Sequence, residues 1–433
     1  MSNDATTAYR ALSALVTPVD AKITIRKDET RPYIGLEHIR SRGAHLADWA
    51  LASTSISTNA IFRAGDVLFG KLRPNLRKCV VAPFDGYCST DILVLRANEF
   101  TDPSFAGKVL RSELVGTAAE MTSVGTKMPR TSWKHLSALE VFCPSLREQS
   151  KIAYVLDTLD TAIHENEAII AKLMAVKQGL LHDLLTRGID ANGELRPPQA
   201  EAPDLYKSSP LGWIPTAWEV LPLGDLAESL VDGPFGSNLK TAHYVENPGV
   251  RVVRLQNILS GEYNDSERAF ISDKHAASLS RNRVVGGDVL IASLGDAGYP
   301  VGRSCCYPTT LPDAVNKADC FRFRANSRCR NQFVMLSMNG STARVQIRRY
   351  EQGVTMKRIN LGNLRRIDIA LPAIAEQDIV IERMEAIRLQ IEVAQLEYQK
   401  LQNEKSGLMD DLLTGRVRVT PLLIEDEQQE GDV

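Results

Sequence analysis

The amino-acid sequence repeats itself at a spacing of 228 residues, and this duplication constrains the fold more than any other feature. Pro144–Gln149 (Pro-Ser-Leu-Arg-Glu-Gln) returns as Pro372–Gln377, and Lys177–Thr186 returns as Lys405–Thr414. No gap is needed between the two blocks, and an ordered series of matches indicates duplication rather than chance. The chain is therefore predicted to contain two copies of one structural unit in tandem.

Each copy begins with a segment of short β-rich runs that glycine and proline interrupt. Gly65-Asp-Val-Leu68 echoes Gly287-Asp-Val-Leu290 at a spacing of 222, so the second copy holds about six more residues after this point. The runs that we expect to be strands are Val67–Phe69, Cys79–Ala82, Asp91–Leu95 and Arg251–Leu255. These runs indicate a β-rich globular domain at the start of each copy.

The second part of each copy carries apolar residues at alternating spacings of three and four. The positions are Ile152, Leu156, Leu159, Ile163, Ile170, Leu173, Leu180 and Leu184, and then Val380, Met384, Ile387, Ile391, Leu401, Leu408 and Leu412. So long a pattern is typical of a coiled-coil seam, in which Asn166, Lys177 and Lys405 would fix the register. We predict that the two helices pair as an antiparallel coiled coil. The alternative is that each helix packs separately on its own globular domain.

These patterns predict an α+β fold, with two tandem α/β domains separated by two long helices and related by a pseudo-twofold repeat. The predicted segments are a first domain over 1–143, a first helix over 144–189, a linker over 190–209, a second domain over 210–371, a second helix over 372–418 and an acidic tail over 419–433. The linker contains Arg-Pro-Pro-Gln-Ala-Glu-Ala-Pro and is expected to be exposed.

Charge is distributed unevenly although the net charge is only −2. Residues 1–143 hold 18 Lys and Arg against 14 Asp and Glu, and residues 210–371 hold 20 against 15. Two basic domains could neutralise phosphates while the acidic segments serve another purpose. The seven cysteines include no Cys-x-x-Cys pair, and no run of 18 apolar residues occurs, so we expect a cytoplasmic protein without a zinc ribbon.

The sequence offers little for catalysis. Gly65–Lys71 nearly matches a phosphate-binding loop, but Leu72 replaces the hydroxyl ligand of the metal and Pro74 prevents a long helix. No two histidines stand at metal-ligand spacing, and no nucleophile elbow or methyl-donor motif is found. We therefore expect no catalytic residue, no metal and no bound cofactor in this chain, which would direct the chemistry of a partner.

Several basic and polar clusters are candidate DNA contacts. They are Lys71, Arg73, Asn75, Arg77 and Lys78, then Gly125, Thr126, Lys127 and Arg130, then Ser237, Asn238, Lys240, Arg254 and Gln256, and finally Gly353, Thr355, Lys357 and Arg358. Arg and Asn can read guanine and adenine edges, and glycine lets the main chain approach a phosphate. The alternatives are a solvated basic loop for the first cluster and tight structural turns around the two glycines.

The doubled motifs resemble those of specificity subunits of type I restriction–modification systems. The resemblance rests on the opening Gly212–Asp225, Phe235–Ser237, the Gly-Asp-Val-Leu strands, the Gly-x-x-Met-x-Arg loops, Pro-x-x-x-Glu-Gln and the Leu-Leu-Thr helix ends, and it covers about residues 30–420. The first copy lacks the Trp-x-x-x-x-Leu-Gly opening, and Leu12–Ile25 stands in its place.

The resemblance implies that each domain reads one half of a bipartite site in double-stranded DNA. It also implies two methyltransferase (modification) subunits and motor-endonuclease (restriction) subunits as partners, which would bind S-adenosylmethionine, ATP and Mg. The paired helices would form the spacer and part of the docking surface for the methyltransferases. Two other functions stay open at this point: a self-contained nuclease that reads and cuts DNA, and a coiled-coil scaffold with two protein-binding domains.

Overall fold

The computed structural model describes residues 9–26, 28–55, 57–234, 238–246 and 249–424. The chain forms two compact units: the first unit comprises residues 1–169 and 394–433, and the second unit comprises residues 170–393. Both long helices are divided between the units, since each unit takes part of each helix. The acidic tail is predicted over 419–433, but Val419 is buried in the core of the first unit, and residues 425–433 lie outside the described residues.

The described residues of the first unit form three sheets. Its strands are β1 (Tyr9–Ala11), β2 (Val16–Pro18), β3 (Lys22–Thr24), β4 (Pro32–Ile34), β5 (Ala50–Leu51), β6 (Thr58–Phe62), β7 (Val67–Gly70), β8 (Cys79–Val81), β9 (Gly86–Ser89), β10 (Ile92–Ala97) and β11 (Glu140–Phe142). They are ordered β1-β11, β2-β10-β7-β8 and β3-β6-β9-β4-β5. The helices are α1 (Pro103–Arg111), α2 (Glu113–Met121), α3 (Trp133–Leu136) and the long α4 (Leu146–Thr186).

The second unit repeats this plan with one additional hairpin. Its strands are β12 (Tyr206–Ser209), β13 (Gly212–Pro215), β14 (Glu219–Pro222), β15 (Ala227–Val231), β16 (Tyr244–Val245), β17 (Val250–Val253), β18 (Phe270–Ile271), β19 (Arg283–Val284), β20 (Val289–Ala292), β21 (Leu294–Gly295), β22 (Ser304–Cys306), β23 (Ala314–Asn316), β24 (Cys320–Ala325), β25 (Lys357–Arg358) and β26 (Asp368–Leu371). Its helices are α5 (Asp273–Ser278), α6 (Asn331–Asn339), α7 (Ser341–Tyr350), α8 (Leu361–Leu364) and the long α9 (Ile374–Leu413).

Two sheets correspond strand by strand between the units, whereas the five-stranded sheets differ in their additional edge strand, since β3 pairs with β6 but β16 pairs with β18. β2-β10-β7-β8 matches β15-β24-β20-β22, and the pair β1-β11 matches β14-β26. Each unit also holds a sheet with one parallel pair, β4 with β9 and β17 with β23. The α+β fold, the repeat and the four predicted strands are confirmed. The first copy opens with β1, so Leu12 stands where the second copy has Leu223, and both are fully buried.

A buried glutamine anchors the start of each long helix. The Gln149 side-chain amide donates to the carbonyls of Pro144 (2.9 Å) and Phe100 (3.2 Å), and its oxygen accepts the main-chain N–H of Asp102 (3.0 Å). Gln377 makes the same three bonds, to Pro372, Arg328 and Arg330, at 2.9, 3.1 and 2.8 Å. The Pro-x-x-x-Glu-Gln motif is thus a device that ties the helix start to the preceding domain, because buried polar groups of the main chain require partners.

Within the first unit the segments of α4 and α9 run antiparallel. Asp160 bonds Lys405 at 2.5 Å, and Glu167 accepts a bond from the Tyr398 hydroxyl at 2.8 Å. Moving seven residues forward on α4 therefore means moving seven residues back on α9. The end of α9 reaches the domain core, where Leu412 packs together with Leu156.

Asp160 is the centre of a buried ion cluster in the first unit. Its carboxylate lies 2.5 Å from the Lys108 ammonium and 3.1 Å from the Arg111 guanidinium, besides Lys405. Burial alone would raise the pKa of the Asp160 carboxyl, but Arg111, Lys405 and Lys108 together hold it well below its usual range. Burial lowers the pKa of the Lys405 ammonium, against the attraction of Asp160. The buried Asp160 carboxylate is thus shared by three cations, of which Lys108 also lies 2.5 Å from the half-exposed Asp157. Asp160 is therefore over-compensated while Lys405 is under-compensated.

Within the second unit the end of α4 packs with the start of α9 in one core, which includes Leu184, Val380 and Met384. All fifteen predicted seam residues of the two helices are buried or half-buried. The polar seam position Asn166, in the first unit, has a buried side-chain oxygen without a hydrogen-bond partner among the described residues. None of the described helices is long and apolar enough to cross a membrane.

More than half of the residues in the segment predicted as an exposed linker, 190–209, are exposed, and the others are partly buried or, at Tyr206, buried. Arg196 lies 2.5 Å from Glu376, whose other oxygen accepts a bond from the buried Trp218 indole at 3.1 Å. Tyr206 is also buried and donates to the carbonyl of Pro197. The composition did not reveal that the Glu376 carboxylate, at the start of α9, binds Arg196 of this segment. In the first unit, Glu148 holds Arg418 in the same way at 2.6 Å.

Candidate nucleic-acid interface

A short hairpin over residues 124–130 presents the Gly-x-x-Met-x-Arg motif of the first unit. Val124 and Arg130 exchange both main-chain hydrogen bonds at 3.0 Å. Gly125 has φ +111°, a conformation that other residues rarely adopt, so the turn requires glycine. Thr126 and Lys127 are exposed between these residues. The structure therefore has the tight turn that was the alternative interpretation, and the turn leaves Lys127 accessible.

The structure brings the first two predicted clusters together. Arg73 donates its main-chain N–H to the carbonyl of Pro129 at 2.8 Å, and Thr131 donates to the carbonyl of Lys71 at 3.0 Å. The segments 71–77 and 124–131 therefore lie side by side. Arg73 and Asn75 are exposed on this joint surface, whereas Lys71 is half-buried. Long-range main-chain bonds make this pairing, so separate sequence motifs could not reveal it.

Two predicted contacts in this unit are engaged internally, which corrects the prediction for them. The Arg77 guanidinium is largely buried and bonds Glu120 at 2.6 Å and Glu113 at 3.1 Å. The Lys78 ammonium donates to the carbonyl of Leu36 at 2.6 Å. Arg130 is half exposed and bonds Asp91 at 3.0 Å, so it anchors the base of the hairpin. A basic run in sequence does not reveal which of its members have acidic or carbonyl partners elsewhere.

Sequence reasoning missed Arg42. Its side chain is 66% exposed, and its main-chain N–H donates to the carbonyl of Arg77 at 3.3 Å. Arg42, Arg73 and Arg77 have φ values of +56°, +50° and +51°, and these account for three of the four non-glycine residues with positive φ among the described residues. Such conformations cost about 1–3 kcal/mol each and tend to occur at functional sites. Two arginines beside a glycine, Arg40-Ser-Arg42-Gly43, were the available sequence signal.

The second unit carries the equivalent hairpin over residues 352–358. Gln352 and Arg358 exchange main-chain bonds at 2.9 and 2.8 Å, and Gly353 has φ +105°. Arg358 pairs with Asp319 as Arg130 pairs with Asp91. Lys357 bonds Glu351 at 2.9 Å, and Thr355 is exposed.

The loop beside this hairpin differs chemically from its counterpart. β21 pairs with β25, which places the loop that starts at Gly295 where the first unit has Arg73 and Asn75. Asp296 and Tyr299 are the exposed side chains here. The second unit therefore lacks the basic run and offers an aromatic ring instead.

Arg303 holds this loop from inside. Its buried guanidinium donates to five main-chain carbonyls, those of Leu255, Ile258, Leu294, Tyr299 and Pro300, at 2.7–3.3 Å. Its counterpart is Lys78, since each follows the loop and donates to the carbonyl of an equivalent turn, Leu36 or Leu255.

Arg254 and Gln256 lie on the turn that Arg303 contacts. Both side chains reach Glu267, at 3.5 and 2.8 Å, so they stand together beside the loop. Asn238 and Lys240 are exposed in a separate segment, where the Asn238 carbonyl contacts His275 at 2.8 Å. The predicted contact Ser237 lies outside the described residues, as do Phe235 and Gly236 of the same motif.

The described residues include no group of three or more His, Cys, Asp or Glu side chains that could hold a metal ion. All seven cysteines are unpaired. Burial raises the pKa of the Cys79, Cys88 and Cys306 thiols to about 12. These thiols stay protonated at neutral pH and are poor nucleophiles.

Comparison with known proteins identifies the fold and the family. The family described as "Type I restriction modification DNA specificity domain" matches residues 17–175 and 215–403. The MjaVIII type I restriction enzyme specificity subunit of Methanocaldococcus jannaschii is 25% identical over 69% of this chain and 67% of its own length. The putative MjaX specificity subunit of the same organism is 25% identical over 82% of this chain and 79% of its own length.

Two solved structures share the fold. One comes from a study of complex assembly and conformational transition in the type I restriction–modification system, with a TM-score of 0.57, 18% identity and coverage of 94% of this chain and 98% of the other. The other is the type I S subunit from M. genitalium, with a TM-score of 0.57, 14% identity and coverage of 95% and 97%. Each of the two segments that the family model matches contains one hairpin and most of one long helix. The chain belongs to the family of type I restriction–modification DNA specificity subunits.

Proposed function

We propose that each unit reads one half of a bipartite site in double-stranded DNA and that the chain directs partner subunits to it. The observation that carries this proposal is the duplicated surface, a rigid glycine hairpin beside a polar loop in both units. Each hairpin has an Arg at its base that an Asp holds in place. Two similar hairpins, each beside a loop with different side chains, would suit two half-sites of different sequence.

The exposed polar residues divide into two roles. In the first unit, Lys127 and Arg42 neutralise phosphates, while Arg73 and Asn75 reach base edges. In the second unit, Lys357 and Lys240 serve phosphates, and the adjacent Arg254 and Gln256 read bases.

Exposed apolar residues on the long helices suit the docking of modification subunits. In the first unit these are Tyr154, Ile169 and Leu396, and in the second unit they are Met174, Val176, Leu389 and Val393. Leu389 and Val393 are four residues apart, so they share one helix face. Apolar side chains that face water on a paired helix favour contact with another protein.

The proposed subunit is not itself catalytic. S-adenosylmethionine would serve its methyltransferase partners, and ATP and Mg would serve its motor-endonuclease partners. This assignment follows from the family and from the absence of a recognisable catalytic arrangement among the candidate residues. Its chemical contribution is to place a DNA site, so the specificity of the whole complex would follow its two reading surfaces.

Selection from a random DNA library tests the proposal, with the full chain alone and together with its modification subunits. The expected result is enrichment of a split consensus without cleavage by the chain alone. Arg73→Ala with Asn75→Ala should relax one half-site, and Arg254→Ala with Gln256→Ala should relax the other. Arg63→Ala and Lys207→Ala remove exposed cations elsewhere in each unit and should leave both halves unchanged. Cleavage would support the nuclease alternative, and no enrichment in either form would support the scaffold.

A further inference from the structure

Both hairpins expose a valine and a methionine to water, although Val124 lies at the base of the first hairpin and Val354 lies at the tip of the second. In the first unit, Val124 is 74% exposed and Met128 is 49% exposed. In the second unit, Val354 is 95% exposed and Met356 is 48% exposed. Single exposed apolar residues are ordinary on protein surfaces, but here the same turn exposes a valine and a methionine in each of two copies.

The two hairpins reach this composition by different routes. Met128 and Met356 occupy equivalent positions, whereas Val124 precedes its glycine and Val354 follows its own. The same apolar pair thus appears although the local order of residues differs. Neither valine belongs to a hydrophobic core of its unit. Folding therefore gains little from these two side chains, and a ligand that covered them would bury apolar surface that the fold leaves exposed.

The tips are rigid rather than loose. Two main-chain bonds close each hairpin, and a glycine with positive φ shapes each turn. In the first hairpin Arg130 bridges to Leu72 as well as to Val124, so the base of the hairpin is tied to the neighbouring loop. An apolar group that is held in advance loses little conformational entropy when a ligand covers it.

Exposed cations lie near both hairpins, although Asp296, Glu351 and Asp319 also lie near the second, and these cations favour a polyanion over an apolar protein surface. Lys127 lies inside the first tip, and the exposed Arg73 stands on the adjoining segment. In the second unit, Lys357 follows the tip, and the exposed Arg348 and Arg349 end the helix just before it. A DNA groove combines phosphates with apolar features, the thymine methyl groups and the base faces.

We propose that both hairpins enter a DNA groove and that their exposed valine and methionine make apolar contact with bases. This inference rests on the proposed function. It adds four apolar residues to the polar side chains that are proposed to contact bases and phosphates. The lysines bring the hairpin to the phosphate backbone, and the apolar pair makes contacts that salt does not screen. These apolar contacts should therefore contribute to affinity without contributing to its salt dependence.

The test measures binding of the full chain, in complex with its modification subunits, to its selected site across a range of salt concentrations. Val354→Thr with Met356→Gln keeps the side-chain size nearly constant and changes no charge. The affinity should fall about tenfold or more, since two partly buried apolar side chains lose their contact. The slope of log affinity against log salt should not change, and sequence preference should weaken only in the second half-site. Val345→Thr, which alters another exposed valine of the same unit, is the matched control and should have no effect.

A chemical probe sharpens the result. Uracil in place of each thymine of the second half-site removes one methyl group at a time, and at one position at least the wild type should lose affinity where the double variant does not. Unchanged affinity of the double variant would overturn the proposal. Unchanged DNA binding with lost binding of the modification subunit would show that the tips contact protein instead. Absence of specific DNA binding by the wild-type complex would refute the proposed function itself.

Discussion

The first and second units share one architecture but bury different charges. Both have the glutamine anchor, the hairpin with its Arg–Asp pair and the same order of strands in the four-stranded sheet. Only the first has the ion cluster around Asp160; the equivalent position in the second is Arg388, which is exposed and bonds Glu385 at 2.7 Å. The common plan therefore does not depend on the cluster. The shared glutamine anchor and Arg–Asp pair stabilise the fold in both units. The Asp160 cluster, which differs between them, can serve a purpose specific to the first unit.

The proposed DNA-reading surfaces of the two units also differ in charge, as the long helices do. Arg73 and Asn75 border the first hairpin, whereas Asp296 and Tyr299 border the second. The loop of the second unit is longer, and Arg303 supports it with five bonds where Lys78 makes one in the first. A longer loop needs more internal support to hold one conformation. The two loops therefore differ at the surface with which each unit would distinguish its half-site.

The largest expected effect concerns Asp160. Asp160→Asn leaves the largely buried Arg111 without its carboxylate and leaves Lys108 with only the half-exposed Asp157, so the free energy of unfolding of the first unit should fall by about 3–4 kcal/mol. Urea denaturation measures the total loss, and hydrogen exchange of peptides assigns it to a unit. Because the folded pKa of Asp160 is held below its unfolded value, the stabilisation is present at neutral pH and is lost as pH falls through the acidic range. The variant should lack this pH dependence.

Two variants control for this change. Lys405→Met removes the under-compensated cation of the same cluster, whose pKa burial lowers, and should change stability by less than about 1 kcal/mol. Asp378→Asn removes a half-exposed carboxylate that bonds Arg330 at 2.7 Å in the second unit and should also matter little. Equal losses for Asp160→Asn and Asp378→Asn would mean that the cluster has no special role in the first unit.

A smaller effect tests what the units share. Gln149→Ala and Gln377→Ala each leave two carbonyls and one main-chain N–H without partners, which should cost about 2–3 kcal/mol in either unit. Urea denaturation of the two variants gives the comparison directly. Gln346→Ala breaks bonds of similar length at Asp368 in a partly buried site, and it tests whether the cost is general. Unequal losses of unfolding free energy for the two variants would show that the anchors share the same hydrogen bonds but differ in how much they stabilise each unit.

The sequence predicted the shared features better than the differing ones. The Gly-Asp-Val-Leu motif recurs because Asp66 and Asp288 are both buried, each accepting a main-chain N–H and an Arg at 2.7–2.9 Å. A buried carboxylate needs such partners, so its surroundings stay similar and the repeat stays visible. The roles of Arg77 and Lys78 depended on Glu120 and Leu36, residues more than 40 positions away. No local pattern carries that information, so basic residues with internal partners were grouped with exposed ones.

The smallest expected effect separates the two hairpins by charge. Lys127 is exposed, and its counterpart by the repeat is Thr355, so the first hairpin has one cation that the second lacks at this position. If Lys127 contacts a phosphate, Lys127→Ala should lower the salt slope of DNA binding by about 0.9 and weaken binding a few-fold for all sequences alike. Lys357→Ala should reduce the slope less, because Glu351 already neutralises part of that charge at 2.9 Å. Glu351→Gln should then increase the contribution of Lys357. Equal slopes for the two lysine variants would mean that both hairpins approach the backbone in the same way, and the chemical difference between the readers would then lie in the neighbouring loops alone.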